Sequence, residues 1–249
     1  MDSMKMIWSN QLISDCFGKL ETLTVSSCTN LTNIVPPNML RTLRNLEELE
    51  IYHCDSLEVV FDFQWTNNVE ESREIPAAEL ISLELGNPKK LKHVSSTDTQ
   101  GTITFAKLRT VEIQDCSSLK SVFPTSVAKT RMQLEKLKIE DCATVEEIVA
   151  KEEGIETTTL FVFPQLTTLT LRNLPELKSF YPAMHISEWP SLRRLDIKKC
   201  NKLMKIFGSN KSSMQETNGV GHYASLIQQP LFFIEKVTTS LAYLYVLLI

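Results

Sequence analysis

Apolar residues recur along the chain in a fixed order, with leucine at a first position and aliphatic residues at the fourth and sixth positions. The stretch LEELEIYHCDSLEVV, residues 46–60, shows the full order, which continues with cysteine at the ninth position and apolar residues at the twelfth and fifteenth. Alternation of apolar and polar residues over the first six positions predicts a β-strand with one buried face. Seven copies begin at Leu20, Leu46, Leu80, Leu108, Leu134, Leu166 and Leu192.

The spacing of the copies identifies the repeat class. Successive copies begin 26, 34, 28, 26, 32 and 26 residues apart, against the roughly 20–29 residues of leucine-rich repeats, so two copies carry insertions. Stacked units of this kind pair their strands in parallel and bury a continuous core. The predicted fold is therefore α/β: a leucine-rich repeat solenoid, a curved right-handed horseshoe with a parallel inner β-sheet, and loops and short helices on its outer face.

The pattern also divides the chain. Residues 1–207 are predicted to form the repeat array, of which residues 1–19 are a partial repeat. Residues 208–229 are predicted to be a polar linker or loop, and residues 230–249 a truncated further repeat in which LAYLYV restarts the pattern.

Three segments between the strands have predictions of their own. PPNMLRTL, from Pro36, predicts a short outer helix with Asn38 as its cap. The insertions at residues 62–78 and 150–159 predict exposed loops.

Five of the six cysteines occupy the ninth position of a repeat, where proline and leucine stand in the other two copies. A small, weakly donating side chain suits the inside of the corner where the chain leaves the strand. A zinc site would require paired ligands at short spacing, such as CxxC, and this spacing does not occur. The pattern therefore predicts structural spacers rather than ligands or nucleophiles at Cys28, Cys54, Cys116, Cys142 and Cys200.

Composition and motifs narrow the function classes. The 249 residues carry 26 Lys and Arg against 30 Asp and Glu, so no basic field attracts nucleic acid or anionic lipid. The most apolar segment, residues 237–249, is shorter than the roughly 20 residues of a membrane span. The motifs GxxxxGK[ST], GxSxG and HExxH do not occur, so no catalysis, cofactor or metal is predicted. The N-terminus lacks the pattern of a secretory signal, which predicts a cytoplasmic, reducing location.

The polar positions of the strands supply the candidate site. They are predicted to face the concave inner wall, whose charge runs from acidic in the second repeat to basic in the seventh. Such a gradient would orient a protein partner, although charge on a solvated face also serves solubility. Tyr52 and Arg172 are the predicted anchors. The predicted protein-binding residues are Glu48, Glu50, Tyr52, His53, Glu112, Gln114, Lys138, Glu140, Arg172, Arg194, Asp196 and Lys198.

The sequences that follow the strands carry a family resemblance. CDSLEVVF, CSSLKSVFP and CNKLMKIF, together with FPQLTTLTLRNLPELKSFYP, resemble the leucine-rich repeats of plant intracellular immune receptors. These disease resistance proteins join a coiled coil and a nucleotide-binding domain to a repeat array. The resemblance covers residues 1–207, and QQPLFFIEKV resembles the lead into another repeat.

The resemblance implies a partner and a role. It implies recognition of a pathogen effector or a modified, guarded host protein, or restraint of the receptor's own nucleotide-binding domain. It places no nucleotide-binding residue in this chain.

Two other classes use related repeats. A substrate-recognition adaptor of a ubiquitin ligase also has repeats of about 26 residues with cysteine at the turn, but no F-box-like segment precedes the array here. An extracellular receptor ectodomain would carry a GxIP turn, which is not seen.

Overall fold

The alternating part of each repeat forms a five-residue strand, as the sequence predicts. The computed structural model describes residues 5–8, 17–36, 39, 42–62, 75–76, 79–96, 103–129, 133–151, 159–182, 185–203 and 243–246. The inner strands are β1 (Thr22–Ser26), β3 (Glu48–Tyr52), β6 (Ser82–Gly86), β9 (Thr110–Gln114), β11 (Lys136–Glu140), β14 (Thr168–Arg172) and β16 (Arg194–Lys198).

Shorter strands lie between the inner strands along the chain. They are β2 (Asn33–Val35), β4 (Val59–Phe61), β5 (Ile75–Pro76), β7 (His93–Ser95), β8 (Ile103–Thr104), β10 (Phe123–Pro124), β12 (Val149–Ala150), β13 (Thr159–Val162) and β15 (His185–Glu188). The last described strand is β17 (Tyr243–Val246), which lies within the predicted further repeat at residues 230–249.

The inner strands form one parallel sheet in the order β1-β3-β6-β9-β11-β14-β16-β17. Their register is uniform, since the first residue of each of the seven repeat strands pairs with the first residue of the next, as Thr22 with Glu48 and Lys136 with Thr168. The equal spacing of apolar positions in every copy produces this register, because a slip by one residue would turn the buried leucines to solvent. The predicted solenoid with a parallel inner sheet is thereby confirmed.

The outer segments are more ordered than the sequence predicts. The two insertions were predicted to be exposed loops, and this is wrong at their ends. Ile75 and Pro76 form β5, which pairs with β8, and Val149–Ala150 and Thr159–Val162 form strands that pair with β10 and β15. The remainder of both insertions, except Asp62 and Lys151, lies outside the described residues. Extended pieces at equivalent places in neighbouring repeats pair because stacking brings their backbones side by side.

Helical structure is sparse in the described part of the chain. The helix α1 (Thr125–Ala128) follows β10, and residues 201–203 are also helical. In the segment predicted to be a helix, the Met39 amide donates to the Pro36 carbonyl at 3.0 Å and the Leu43 amide to the Met39 carbonyl at 2.9 Å. Asn38, its predicted cap, lies outside the described residues. None of the described helices is long and apolar enough to cross a membrane.

The core lies between the inner sheet and the outer segments. Leucines at the first repeat position are stacked in a row, and in the interior repeats they are at most 1% exposed. Aromatic rings fill the outer half, where Phe163, Phe180 and Trp189 meet edge to face with centroids 5.3–5.7 Å apart. At the two ends of the row Leu20 and Leu192 are only partly buried.

Candidate functional site

A residue with left-handed backbone conformation directly follows each inner strand of the seven repeats. The φ angles are 50–61° at Ser27, His53, Asn87, Asp115, Asp141, Asn173 and Lys199. At each of the first six, the amide donates to the carbonyl of the last residue in the adjacent strand, as from His53 to Gly86 at 2.9 Å. Four of the seven are Asn or Asp, the non-glycine residues that adopt this conformation most readily. This turn directs the next side chain, the repeat cysteine, into the core.

The repeat cysteines are buried and unpaired, in agreement with the prediction that they are spacers. Their thiols lie against the carbonyl two residues earlier, with sulfur to oxygen distances of 3.1–3.6 Å across the five. Burial raises the pKa of the Cys54 and Cys200 thiols, and a hydrogen bond with Cys142 raises that of Cys116. A raised pKa keeps the thiol protonated and weakly nucleophilic. Within the described ranges, no group of three or more His, Cys, Asp or Glu could hold a metal.

The side chains at the first, third and fifth strand positions form one polar surface, here called the inner face. Apolar side chains at the second and fourth positions point into the core, so alternate residues must point away from it. The structure places eleven of the twelve predicted residues on the inner face, and His53 at the left-handed position beside it.

Charge on the inner face is divided along the sheet. On strands β3, β6 and β9 every charged residue is a glutamate: Glu48, Glu50, Glu84 and Glu112. Strands β11, β14 and β16 present mainly cations: Lys136, Lys138, Arg172, Arg194 and Lys198, with Glu140 and Asp196 among them. Sequence reasoning omitted Glu84, although it holds the same repeat position as Glu50 and Glu112.

A chain of ion pairs connects the two halves. Arg172 lies at its centre, with its guanidinium 3.2 Å from Glu140 and 2.5 Å from Asp196. Lys138 is 3.0 Å from Glu140 and 3.8 Å from Glu112. The resulting inner-face network consists of Glu112, Lys136, Lys138, Glu140, Arg172, Asp196 and Arg194.

The ion pairs of the network limit how its charged side chains can contact another protein. Its carboxylates are well covered, with the Glu140 and Asp196 side chains 12% and 18% exposed. A hydrogen bond with Glu140 raises the pKa of Lys138, and one with Asp196 raises that of Arg172. Because these cations are already neutralised by neighbours, they contribute mainly to the rigidity of the face. Arg172, predicted to be an anchor, therefore has an internal role in the free protein.

The acidic half contains a small pocket of about 230 Å³ beside Tyr52. The Tyr52 ring lies over Gly86 of the adjacent strand, where a Cβ would come within 2.6 Å of the tyrosine Cδ1. Burial, together with a hydrogen bond to Glu84, raises the pKa of Tyr52 to about 12. His53 lies at the rim, its Nδ1 3.2 Å from the Asn87 amide nitrogen. Glycine at position 86 is thus what allows the ring to lie flat along the face.

The basic half contains a larger cleft of about 770 Å³, here called the basic cleft. Its cations are Arg172, Arg193, Arg194, Lys198 and Lys199, and its carboxylates are Glu140, Asp141 and Asp196. The last four cations are exposed. Among the described residues, none places a carboxylate within 4.0 Å of Arg193, Lys198 or Lys199. These three are thus exposed cations of the cleft with no ion pair in the described part of the chain.

Comparison with known proteins adds a family context to this geometry. The family model for leucine-rich repeats of plant disease resistance proteins similar to RPS2 matches residues 1–143 and 132–216. Disease resistance protein UNI of Arabidopsis thaliana is 35% identical over 102 residues, which are 41% of this chain and 11% of that protein. The matched region thus spans about a ninth of the length of the curated relative. No solved structure matches the chain.

Proposed function

Since the chain belongs to the RPS2-like leucine-rich repeats of plant disease resistance proteins, we propose that its inner face binds a protein during a defence response. Leucine-rich repeats of this family are protein-interaction modules. The bound protein is a pathogen effector or a modified host protein, or else the nucleotide-binding domain of the receptor itself. The proposal assigns no catalysis and no cofactor to this chain, and places it in the cytoplasm.

The division of charge on the inner face supports the proposal best. Four carboxylates lie on β3 to β9, while exposed cations lie around β16. Complementary charge on a partner would fix its orientation and accelerate its association, although it would add less to affinity. A face needed only for solubility would have no reason to separate the signs, since mixed charges serve that purpose equally well.

The separation has a definite scale. The Tyr52 pocket centres on β6, and the exposed cations of the basic cleft lie on or beside β16, four strand spacings away. At about 4.8 Å for each spacing, the two features lie roughly 19 Å apart. A partner therefore needs a positive and a negative group separated by about that distance.

Site-directed photocrosslinking in intact plant cells tests the proposal. A photoreactive phenylalanine analogue would replace Glu50 or Lys138 on the inner face, and Lys90 or Lys120 on exposed turns as matched controls. We expect the inner-face positions to crosslink a discrete protein that the control positions do not. Mass spectrometry of the adduct would tell an effector or host protein from a nucleotide-binding domain. Equal crosslinking from both sets, or crosslinking from the turns alone, would refute the proposal.

A further inference from the structure

We propose that the basic cleft receives an acidic polypeptide segment of the protein partner, whose carboxylates lie against Arg193, Lys198 and Lys199. This inference rests on the proposed function, because it specifies one part of the same contact. It also moves the contact from Arg172, the predicted anchor, to exposed cations of the seventh repeat.

The cations of the basic cleft differ in how far neighbouring carboxylates already pair with them. Arg172 makes pairs with Glu140 and Asp196, and its Nε is buried without a hydrogen-bond partner. A guanidinium held from both sides in this way has little freedom to turn toward a ligand. Arg194 reaches Asp196 only at 4.0 Å and is 67% exposed. The exposed cations around β16 are therefore the groups that bind the acidic segment. Arg172 instead holds the carboxylates of Glu140 and Asp196 in position.

The lining of the cleft favours carboxylates over denser anions. Five cations and three carboxylates line it, an excess of two positive charges. A run of phosphates, as in nucleic acid, would approach Glu140, Asp141 and Asp196 closely and be repelled by them. Single carboxylates on a flexible polypeptide can lie beside the cations and avoid the acids. The net charge of −4 on the whole chain also disfavours a polyanion.

The cleft has an apolar component as well. The aliphatic stems of its arginine and lysine side chains form apolar wall beneath their charged ends. The volume of about 770 Å³ lies within the range of about 300–1,000 Å³ seen in ligand sites. A segment with alternating acidic and aliphatic residues fits this combination.

Side chains rather than backbone must make the contact. Strand β16 pairs with β14 on one side and with β17 on the other, so the cleft does not border an open sheet edge. An incoming segment therefore cannot bind as an added strand, which would depend on main-chain hydrogen bonds and little on charge. Binding at this place should depend strongly on charge and on salt.

Fluorescence anisotropy with a labelled peptide tests the inference on the whole chain. The probe alternates glutamate and leucine, and three further peptides replace glutamate with glutamine, with phosphoserine or with lysine. We expect the glutamate peptide to bind, and to bind more weakly as NaCl rises from about 50 to about 300 mM. The glutamine and lysine peptides should not bind.

Variants locate the site. Arg193→Glu and Lys198→Glu should each weaken binding of the glutamate peptide roughly fivefold, and the double variant more than either. Lys199→Asn removes a charge at a position where Asn tolerates the left-handed backbone, so it tests the charge without straining the turn. Lys90→Glu, an exposed lysine outside the cleft, is the matched control and should bind as the parent does. Unchanged circular dichroism and melting would show that each variant is folded.

Several outcomes would overturn the inference. They are no binding of the glutamate peptide up to millimolar concentration, equal binding of the glutamine peptide, insensitivity to the cleft variants, or binding of the phosphoserine peptide alone. If inner-face photocrosslinking succeeds in any of these cases, the proposed function stands and only the acidic segment is wrong. If the crosslinks fail as well, both are wrong.

Discussion

At the scale of single residues, the turn at the end of each inner strand is the most demanding feature. A left-handed conformation is unfavourable for residues with a β-carbon, and more so for β-branched ones. The sequence nevertheless places Ser, His and Lys at three of the seven positions. At Ser27 and His53 the hydrogen bond that the backbone amide donates to the adjacent strand holds the residue in place.

Asp115 offers a clean test of this turn. It has a φ of 56°, and Asp115→Val should reduce the free energy of unfolding by about 1–2 kcal/mol, because a β-branched residue resists this conformation. Asp115→Asn should have little effect. Gln114→Val, one residue earlier in β9, is the control, since valine suits a strand. Urea denaturation followed by circular dichroism measures the difference, and equal stability of the two valine variants would contradict the prediction.

Tyr52 provides a prediction about pH. Its pKa is raised from 10.0 to about 12, so the folded protein holds this proton more tightly than the unfolded chain does. The associated stability is fully present below pH 10 and is lost as pH rises from 10 to about 12. The stability difference between the parent protein and Tyr52→Phe should therefore shrink over that window.

A second variant tests the cause of the Tyr52 shift. Gly86→Ala would place a Cβ 2.6 Å from the tyrosine ring, which should move the ring off the face and away from Glu84. The pKa should then fall toward its usual value. An absorbance titration, with Tyr52→Phe subtracted, measures it. An unshifted value in Gly86→Ala would show that the contact does not control the titration.

At the scale of elements, the inner-face network ties β9, β11, β14 and β16 together through side chains. Each pair joins nearby residues of one strand, equivalent positions in adjacent strands, or diagonal positions, as Arg172 with Asp196. The network therefore stiffens the fourth to seventh strands of the sheet.

Removal of Arg172, the central residue of the inner-face network, should show how much the network contributes to the free energy of unfolding. Arg172→Leu would leave Glu140 and Asp196, 12% and 18% exposed, without their main partner. We expect a loss of about 1–2 kcal/mol, reduced from the 3–5 of a fully buried pair because the guanidinium is 43% exposed and screened by solvent. Arg172→Lys should recover only part of it, because an ammonium cannot bridge both acids. Lys178→Leu, which breaks an exposed pair with Glu146, is the control and should leave the urea midpoint unchanged.

The inner strands were predictable from sequence, whereas much of what surrounds them was not. Seven copies with the same apolar spacing determine the strands and their register. The outer strands are two to four residues long and show no alternation that a pattern could detect. The pairing of Arg172 was also missed, because it depends on which polar positions lie side by side. Once the register is known, Glu140 and Asp196 fall on the strands beside it.

At the scale of the whole molecule, the repeats at the two ends of the row are less buried than the repeats between them. Leucines at the fourth repeat position are partly exposed at Leu23 and Leu195, whereas Leu137 is 1% exposed. In stacked repeats stability is close to a sum of contributions from each unit and its neighbours.

A leucine-to-alanine substitution should therefore lower the free energy of unfolding by different amounts along the row. Leu137→Ala should destabilise by about 2–5 kcal/mol through cavity formation. Leu23→Ala and Leu195→Ala should cost clearly less, because less apolar surface is buried there to begin with. Chemical denaturation with site-resolved hydrogen exchange measures both the cost and where opening begins. Equal losses of stability at all three sites would contradict the prediction that the end repeats are less tightly packed.

The uniform register of the inner strands affects how the repeat array can change through recombination. Because every unit enters and leaves the sheet at the same phase, recombination that deletes or duplicates one whole unit preserves all remaining strand pairs. Each event between β6 and β16 would change the distance between the acidic and basic features by about 4.8 Å. Descendants of such a gene would then sample a series of discrete charge spacings on an intact scaffold, and a receptor lineage could follow a changing partner without rebuilding its core.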